Sequence, residues 1–178
     1  MKRNWIRIAS LFFMGFIVFS GCSKVKDLLD VTFTANSVEV AFTVDSAAAG
    51  TYTSADQVVT SDLNEQITSN GGSVGALKSI ELTACTINVV TADRNLDPFK
   101  SMEVWVKVTG QTDKKIAWND SVPTGVTSVP LLISADDIKD LLDQDQYTVT
   151  VKGVLDGALE KAIDLKAILT YKVVVSPK

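Results

Sequence analysis

Strict alternation of apolar and polar residues is the dominant signal along the chain. In SVEVAFTV, Val38, Val40, Phe42 and Val44 fall on one side and Ser37, Glu39, Ala41 and Thr43 on the other. That is the period of a strand with one buried face. MEVWVKV repeats it with Met102, Val104, Val106 and Val108, and YTVTV with Tyr147, Val149 and Val151. The longest run alternates Ile163, Leu165, Ala167, Leu169, Tyr171, Val173 and Val175 against Asp164, Lys166, Thr170 and Lys172. Shorter strands are predicted for VTFT at 31–34, KKIAW at 114–118 and VPLLIS at 129–134. In KKIAW, Trp118 shares the phase of Ile116 and reads as core. One run breaks step: in IELTACTINVV, Ile80, Leu82 and Ala84 share a face, then Cys85, Ile87 and Val89 do. A β-bulge, or a strand crossing between two sheets, produces such a slip.

Two short helices interrupt the strands. The first is predicted from a capping Ser61 through Ile67, stopping near Gly71-Gly72,. The second is predicted from Ser134 as N-cap, with Ile138, Leu141 and Leu142 as its apolar stripe,. Many short strands separated by turn signals predict an all-β fold: an antiparallel β-sandwich, immunoglobulin-like in character, with one or two short helices in its connections.

Residues 1–30 follow a different logic. Lys2, Arg3 and Arg7 precede a mostly apolar run from Ile8 to Phe19, with no acidic residue before Asp27. A basic segment followed by a short apolar one is the pattern of a secretory signal. A dozen apolar residues fall short of the roughly 20 that span a bilayer. Phe19-Ser20-Gly21-Cys22 then resembles the lipobox of bacterial lipoproteins. The likeness covers residues 1–22 and departs at Phe19, where Leu is commonest; Phe at that position is tolerated in lipoproteins of Bacteroides-group bacteria.

The resemblance implies cleavage between Gly21 and Cys22, a diacylglycerol on the Cys22 thiol and often a third chain on its amino group. Each buried acyl CH₂ contributes about 0.8 kcal/mol, so two or three chains anchor stably. The organisation expected is therefore a signal peptide at 1–21, a lipidated Cys22 with a short tether at 22–30, and one β-sandwich domain at 31–178. Ser23, not an aspartate, follows the cysteine, and Lys24 and Lys26 stand where surface-exported relatives often carry acidic residues. By that resemblance the expected place is the outer membrane, facing the periplasm.

Composition narrows the chemistry. Removing residues 1–21 leaves 157 residues with 14 basic and 21 acidic side chains, a net charge of −7. One domain of this size buries about 68–70% of its unfolded surface. An acidic chain without a basic patch is not built for nucleic acid. There is no histidine, which removes Ser-His-Asp triads, histidine-ligated zinc and histidine-ligated haem. With Cys22 lipidated, Cys85 stands alone in a strand pattern, without the positive neighbour that activates a thiol, and reads as a small buried hydrophobe,.

Four features remain as candidates. Trp105 lies on the polar phase of its strand beside Glu103 and Lys107. An exposed tryptophan there can stack on a sugar ring or anchor a partner protein; otherwise a helix or loop must cover that face. Asp136, Asp137, Asp140, Asp143 and Asp145 form an acidic cluster, explained by a helix N-terminus and a Lys139–Asp143 pair at i,i+4, since no calcium-loop glycine or glutamate completes it,. Asp93-Arg94-Asn95-Leu96-Asp97 opens like an EF-hand loop, but Pro98 and Val104 occupy the positions that need Gly and Glu, so a β-turn is predicted,. Asp45-Ser46-Ala47 and Asp120-Ser121-Val122 resemble the O-glycosylation sequon of Bacteroides-group envelope proteins, which makes Ser46 and Ser121 candidate acceptors; Asp-Ser is also ordinary turn chemistry.

No catalytic constellation, phosphate loop or Rossmann glycine pattern is legible. The expectation is a non-enzymatic accessory, structural or binding module that meets the membrane through its lipid and an envelope protein or glycan through its loops or one sheet face, with no cofactor and no metal site. The alternatives are a hydrolase of glycan or cell-wall substrates that works with carboxylates alone, and a calcium-dependent carbohydrate- or protein-binding domain.

Overall fold

The computed structural model describes residues 30–177; the leader, the Gly21–Cys22 junction and the tether up to residue 29 lie outside the described residues. The described chain is an all-β antiparallel sandwich with two short helices in its connections. The first sheet holds β1 (Val31–Thr34), β2 (Val38–Val44), β5 (Gly72–Val89), β8 (Ser128–Pro130) and β11 (Ile163–Pro177). The second holds β3 (Gly50–Thr53), β4 (Gln57–Thr60), β6 (Phe99–Lys107), β7 (Lys114–Asn119), β9 (Leu132–Ile133) and β10 (Gln146–Leu155). The helices are α1 (Leu63–Ser69) and α2 (Lys139–Leu142).

Each sheet is built on one long strand. β11 pairs with β5 on one side and with β1 and β2, end to end, on the other. β10 does the same with β6 on one side and β3 and β4 on the other. The alternation explains why they sit there: Ile163, Leu165, Ala167, Leu169, Tyr171, Val173 and Val175 are all buried, while their intervening neighbours reach the outer face. Val40, Phe42 and Val44, Met102, Val104 and Val106, and Tyr147, Val149 and Val151 complete the interior from both sheets. Gly153 permits a close crossing. A Cβ there would strike the Ser101 carbonyl and lie 2.9 Å from the Tyr52 ring, which packs edge-on against Phe99 at 5.4 Å between centroids.

The phase slip in β5 is a bulge, not a crossing between sheets. Leu82 pairs with Tyr171 and Ala84 with Thr170, leaving Thr83 over. Ala84, expected inward, is therefore exposed, and Cys85 resumes the buried face. The sheet crossing occurs elsewhere: the run at 129–134, expected as one strand, splits into β8 on the first sheet and β9 on the second. Between them sits buried Leu131, whose N–H bonds the Cys85 carbonyl at 2.9 Å.

Both helix starts differ from expectation. α1 begins one residue later, with Asp62 at its N-cap; Ser61 Oγ accepts only the Leu63 N–H at 3.3 Å. Residues 134–138 are not helical. Ser134 Oγ accepts the Asp136 N–H at 3.3 Å, and Asp137 Oδ1 accepts both the Lys139 N–H (2.9 Å) and the Ile80 N–H (3.0 Å), pinning this segment to β5. Bonding to a strand amide outcompetes capping, so α2 is one turn long, with Ile138 at its N-cap. Lys139 and Asp143 are joined through the backbone at 2.8 Å, not through their side chains. Ile138, Leu141 and Leu142 are buried as the stripe predicted. β3, β4 and the first half of β5 went unread because they are short or glycine-rich.

Candidate functional site

The outer face of the second sheet carries the most distinctive chemistry on the molecule. Trp105 lies there, half-buried, on the polar phase of β6 as the alternation predicted. Among the described residues neither helix packs on β6 or β7: α1 packs on β5, and α2 on β5 and β10. The surprise is Trp118. Ala117 pairs with Val104 but Lys115 pairs with Trp105, so Ile116 is an extra residue in β7. This bulge buries Ile116 and Ala117 consecutively and turns Trp118 to the outside, opposite Glu103. The placement of Trp118 in the core is thus overturned by one inserted residue, which period-2 counting does not see.

The register makes a checkerboard. One row runs Leu132, Trp118, Glu103, Lys152 and Thr53 across five strands. The next runs Lys115, Trp105 and Thr150. The two tryptophans are therefore diagonal neighbours on adjacent strands, a relation that spans about 7–8 Å between backbones. Between them the Glu103 carboxylate accepts the Trp105 indole N–H at 2.9 Å and the Lys115 ammonium at 3.0 Å. Lys152 Nζ stands 4.4 Å over the Trp105 ring and Lys115 Nζ 5.4 Å over that of Trp118. Each cation–π contact at such a site contributes about 0.5–1 kcal/mol, enough to hold ring orientation but not to hide the rings.

Charge on this face is tuned by the same contacts. Partial burial opposes ionisation of Glu103, but the Trp105 indole, Lys115 and Lys152 prevail and hold its carboxyl below the usual glutamate range. Asp56 at the edge of the face is lowered chiefly by the Thr150 hydroxyl, which donates at 2.5 Å, and further by Lys107. Leu132 and Val58, which flank the face on β9 and β4, are 62% and 67% exposed. A sheet face that exposes two aliphatic side chains and two half-open indoles is suited to contact.

The other candidates fall apart spatially. Ser46 and Ser121 are exposed in loops, as acceptors must be, and both lie at the end of the sandwich where β10 leads into β11. That is the end opposite Asp30. Asp136 pairs with Lys114 at 3.3 Å, and Asp137 is taken up by backbone amides. The 93–97 segment is a turn: Asp93 has φ 57°, Asn95 and Asp97 bond each other, and Asp97 caps the Gly125 N–H. Among the described residues no three acidic or cysteine side chains converge as a metal site would require. Cys85 is buried, and burial pushes its thiol up to about 12, the opposite of an activated nucleophile,. No helix of the described residues is long and apolar enough to cross a membrane.

No protein-family model matches the chain, and comparison with curated proteins finds no match.

Proposed function

We propose that the protein is a lipid-anchored, non-enzymatic binding module of a Gram-negative cell envelope. Its outer β6–β7–β10 face is where it meets an envelope glycan or protein. One observation carries this reading: two half-buried tryptophans share a sheet face on which neither described helix packs, interleaved with Glu103, Lys115 and Lys152. Apolar ring faces beside fixed donors and acceptors suit both the CH faces and hydroxyls of a sugar and the buried aromatic anchors of protein interfaces. The anchor rests on the lipobox resemblance at Cys22. It places the module at the outer membrane, periplasm-facing, with Ser46 and Ser121 as candidate O-glycan acceptors on the end away from the tether.

Of the three tryptophans in the sequence, Trp5 belongs to the leader. In the mature chain intrinsic tryptophan fluorescence therefore reports this face alone. The test titrates the lipidated protein in detergent with solubilised envelope polysaccharide, then with crosslinked envelope protein partners recovered from its own membrane. Saturable quenching that Trp105→Ala and Trp118→Ala each weaken at least tenfold supports the reading, and the titrant that quenches names the class. Binding that survives both substitutions would move the contact to another surface.

A further inference from the structure

Along one seam the sheets part only in places, since β2 approaches β4 over part of its length. There the edge strand of the first sheet, β2, faces the broken edge formed by β3 and β4, and a groove of about 710 Å³ lies between them. β2 pairs with β11 through seven continuous residues, and no strand among the described residues pairs with its other side. Alternate residues of an antiparallel strand direct both N–H and C=O to the same side. β2 therefore presents a row of free ladder positions to the groove.

The other free edges are short or interrupted, the unpaired stretch of β5 by Gly75 at φ 85° and by register shifts opposite it. β8 is three residues long and ends in Pro130, β9 is two residues long, and β3 and β4 are separated by a break at Ser54. β2 has no proline, no glycine, no register shift and no inward charge. Folded proteins seldom leave such an edge without a partner. The apolar side of the groove comes from Phe42, Val44, Tyr52 and Leu165; Asp45 and Asp164 line it too, and no lysine or arginine does.

We infer that this groove takes an extended peptide segment of another protein, added as a strand to the free edge of β2. Only a peptide backbone repeats donors and acceptors at the spacing of a β-ladder. The part of β2 that lines the groove, Ala41 to Val44, matches about four extended residues at roughly 3.3 Å each. The segment it fits alternates small apolar side chains, toward Phe42 and Tyr52, with polar or basic ones that meet Asp45 and Asp164. With the leader cleaved at Cys22, as proposed, the chain's own tether does not qualify. Val31 pairs with Val175, and the groove runs to the level of Ile163, about 40 Å along β11. Residues 22–29 extend at most about 28 Å.

The test uses the full lipidated chain in detergent and a nine-residue peptide of alternating valine and threonine with terminal lysines. Its control is the same peptide N-methylated at alternate residues, which keeps the side chains and removes ladder donors. Hydrogen exchange is followed amide by amide. Alternate amides of Val38–Val44 should exchange at least tenfold faster than their neighbours in the free protein. The peptide should slow them at least tenfold, the N-methylated peptide should not, and Trp105→Ala should leave the protection unchanged. Uniformly slow β2 amides without peptide, in a monomer or in a dimer, would overturn the proposal. So would equal protection by the N-methylated peptide, no protection at millimolar peptide, or loss of protection in Trp105→Ala.

Discussion

Glu103 shows how much one side chain organises. Its carboxylate accepts from Trp105 and Lys115 at once, and its ionised form is favoured in the folded state. A depressed carboxyl contributes fully above its unfolded value of about 4.3, and that contribution is lost as pH falls through the lower folded value. Tryptophan emission of the mature protein should therefore stay constant from pH 7 down to the ordinary glutamate value of about 4.3 and shift only below it. Glu103→Gln should abolish the shift; a transition centred near pH 6 would contradict the assignment. Cys85 makes a second residue-level prediction. With its thiol pushed up to about 12 by burial, it should not react with a disulfide reagent at pH 8 until the chain is unfolded,. In denaturant the proposed thioether at Cys22 leaves one reactive thiol per chain; two would mean that Cys22 is unmodified.

At the scale of elements, breaks and bulges decide more than the strands do. β3 gives way to β4 at Ser54, whose N–H still donates to the Val151 carbonyl at 2.8 Å while its hydroxyl takes over as the acceptor. Ser54 Oγ accepts the Val151 N–H at 3.0 Å and donates to the Ala55 carbonyl at 3.1 Å, in a buried position. Ser54→Ala leaves a buried amide without a partner and should cost about 1–3 kcal/mol in a urea melt. A change under about 0.3 kcal/mol would mean that water replaces the hydroxyl. The long strands were legible because their core faces alternate without interruption, as in β2, β6 and β11. Trp118 was not, since an extra residue leaves no mark in apolar-polar counting: Ile116 and Ala117 are both compatible with either face. The split of 129–134 between two sheets was hidden for a related reason. Val129 and Leu131 keep their period while the strand changes partner.

On the scale of the molecule, the two ends of the sandwich lie far apart. Asp30, ion-paired to Lys78, enters beside the last residues of β11. The exposed Ser46 and Ser121 loops lie at the far end, about 40 Å away along β11 at 3.3 Å per residue. The proposed anchor thus leaves the tryptophan face and the β2 groove on the sides of the sandwich, reachable by partners parallel to the membrane. Cys22→Ser should shift the protein from the membrane to the soluble fraction. The melting temperature should stay within about 2 °C, because the described residues form a sandwich with a core of their own,. Retention of the variant in the membrane would require a second attachment.

The sequence by itself determined the fold class and most strand faces, because burial on one face of a strand writes itself as a period of two. It also determined what chemistry is missing, since a chain without histidine cannot hide one. Only the tertiary structure decided what stands next to what. It turned Trp118 outward to join Trp105, traded the Ser134 cap for an Asp137 tie to β5, and left β2 as a continuous unpaired edge among the described residues. These outcomes depend on register and on competition between distant hydrogen-bonding groups. Both are settled by packing across strands, and neither is encoded in the local pattern of any one of them.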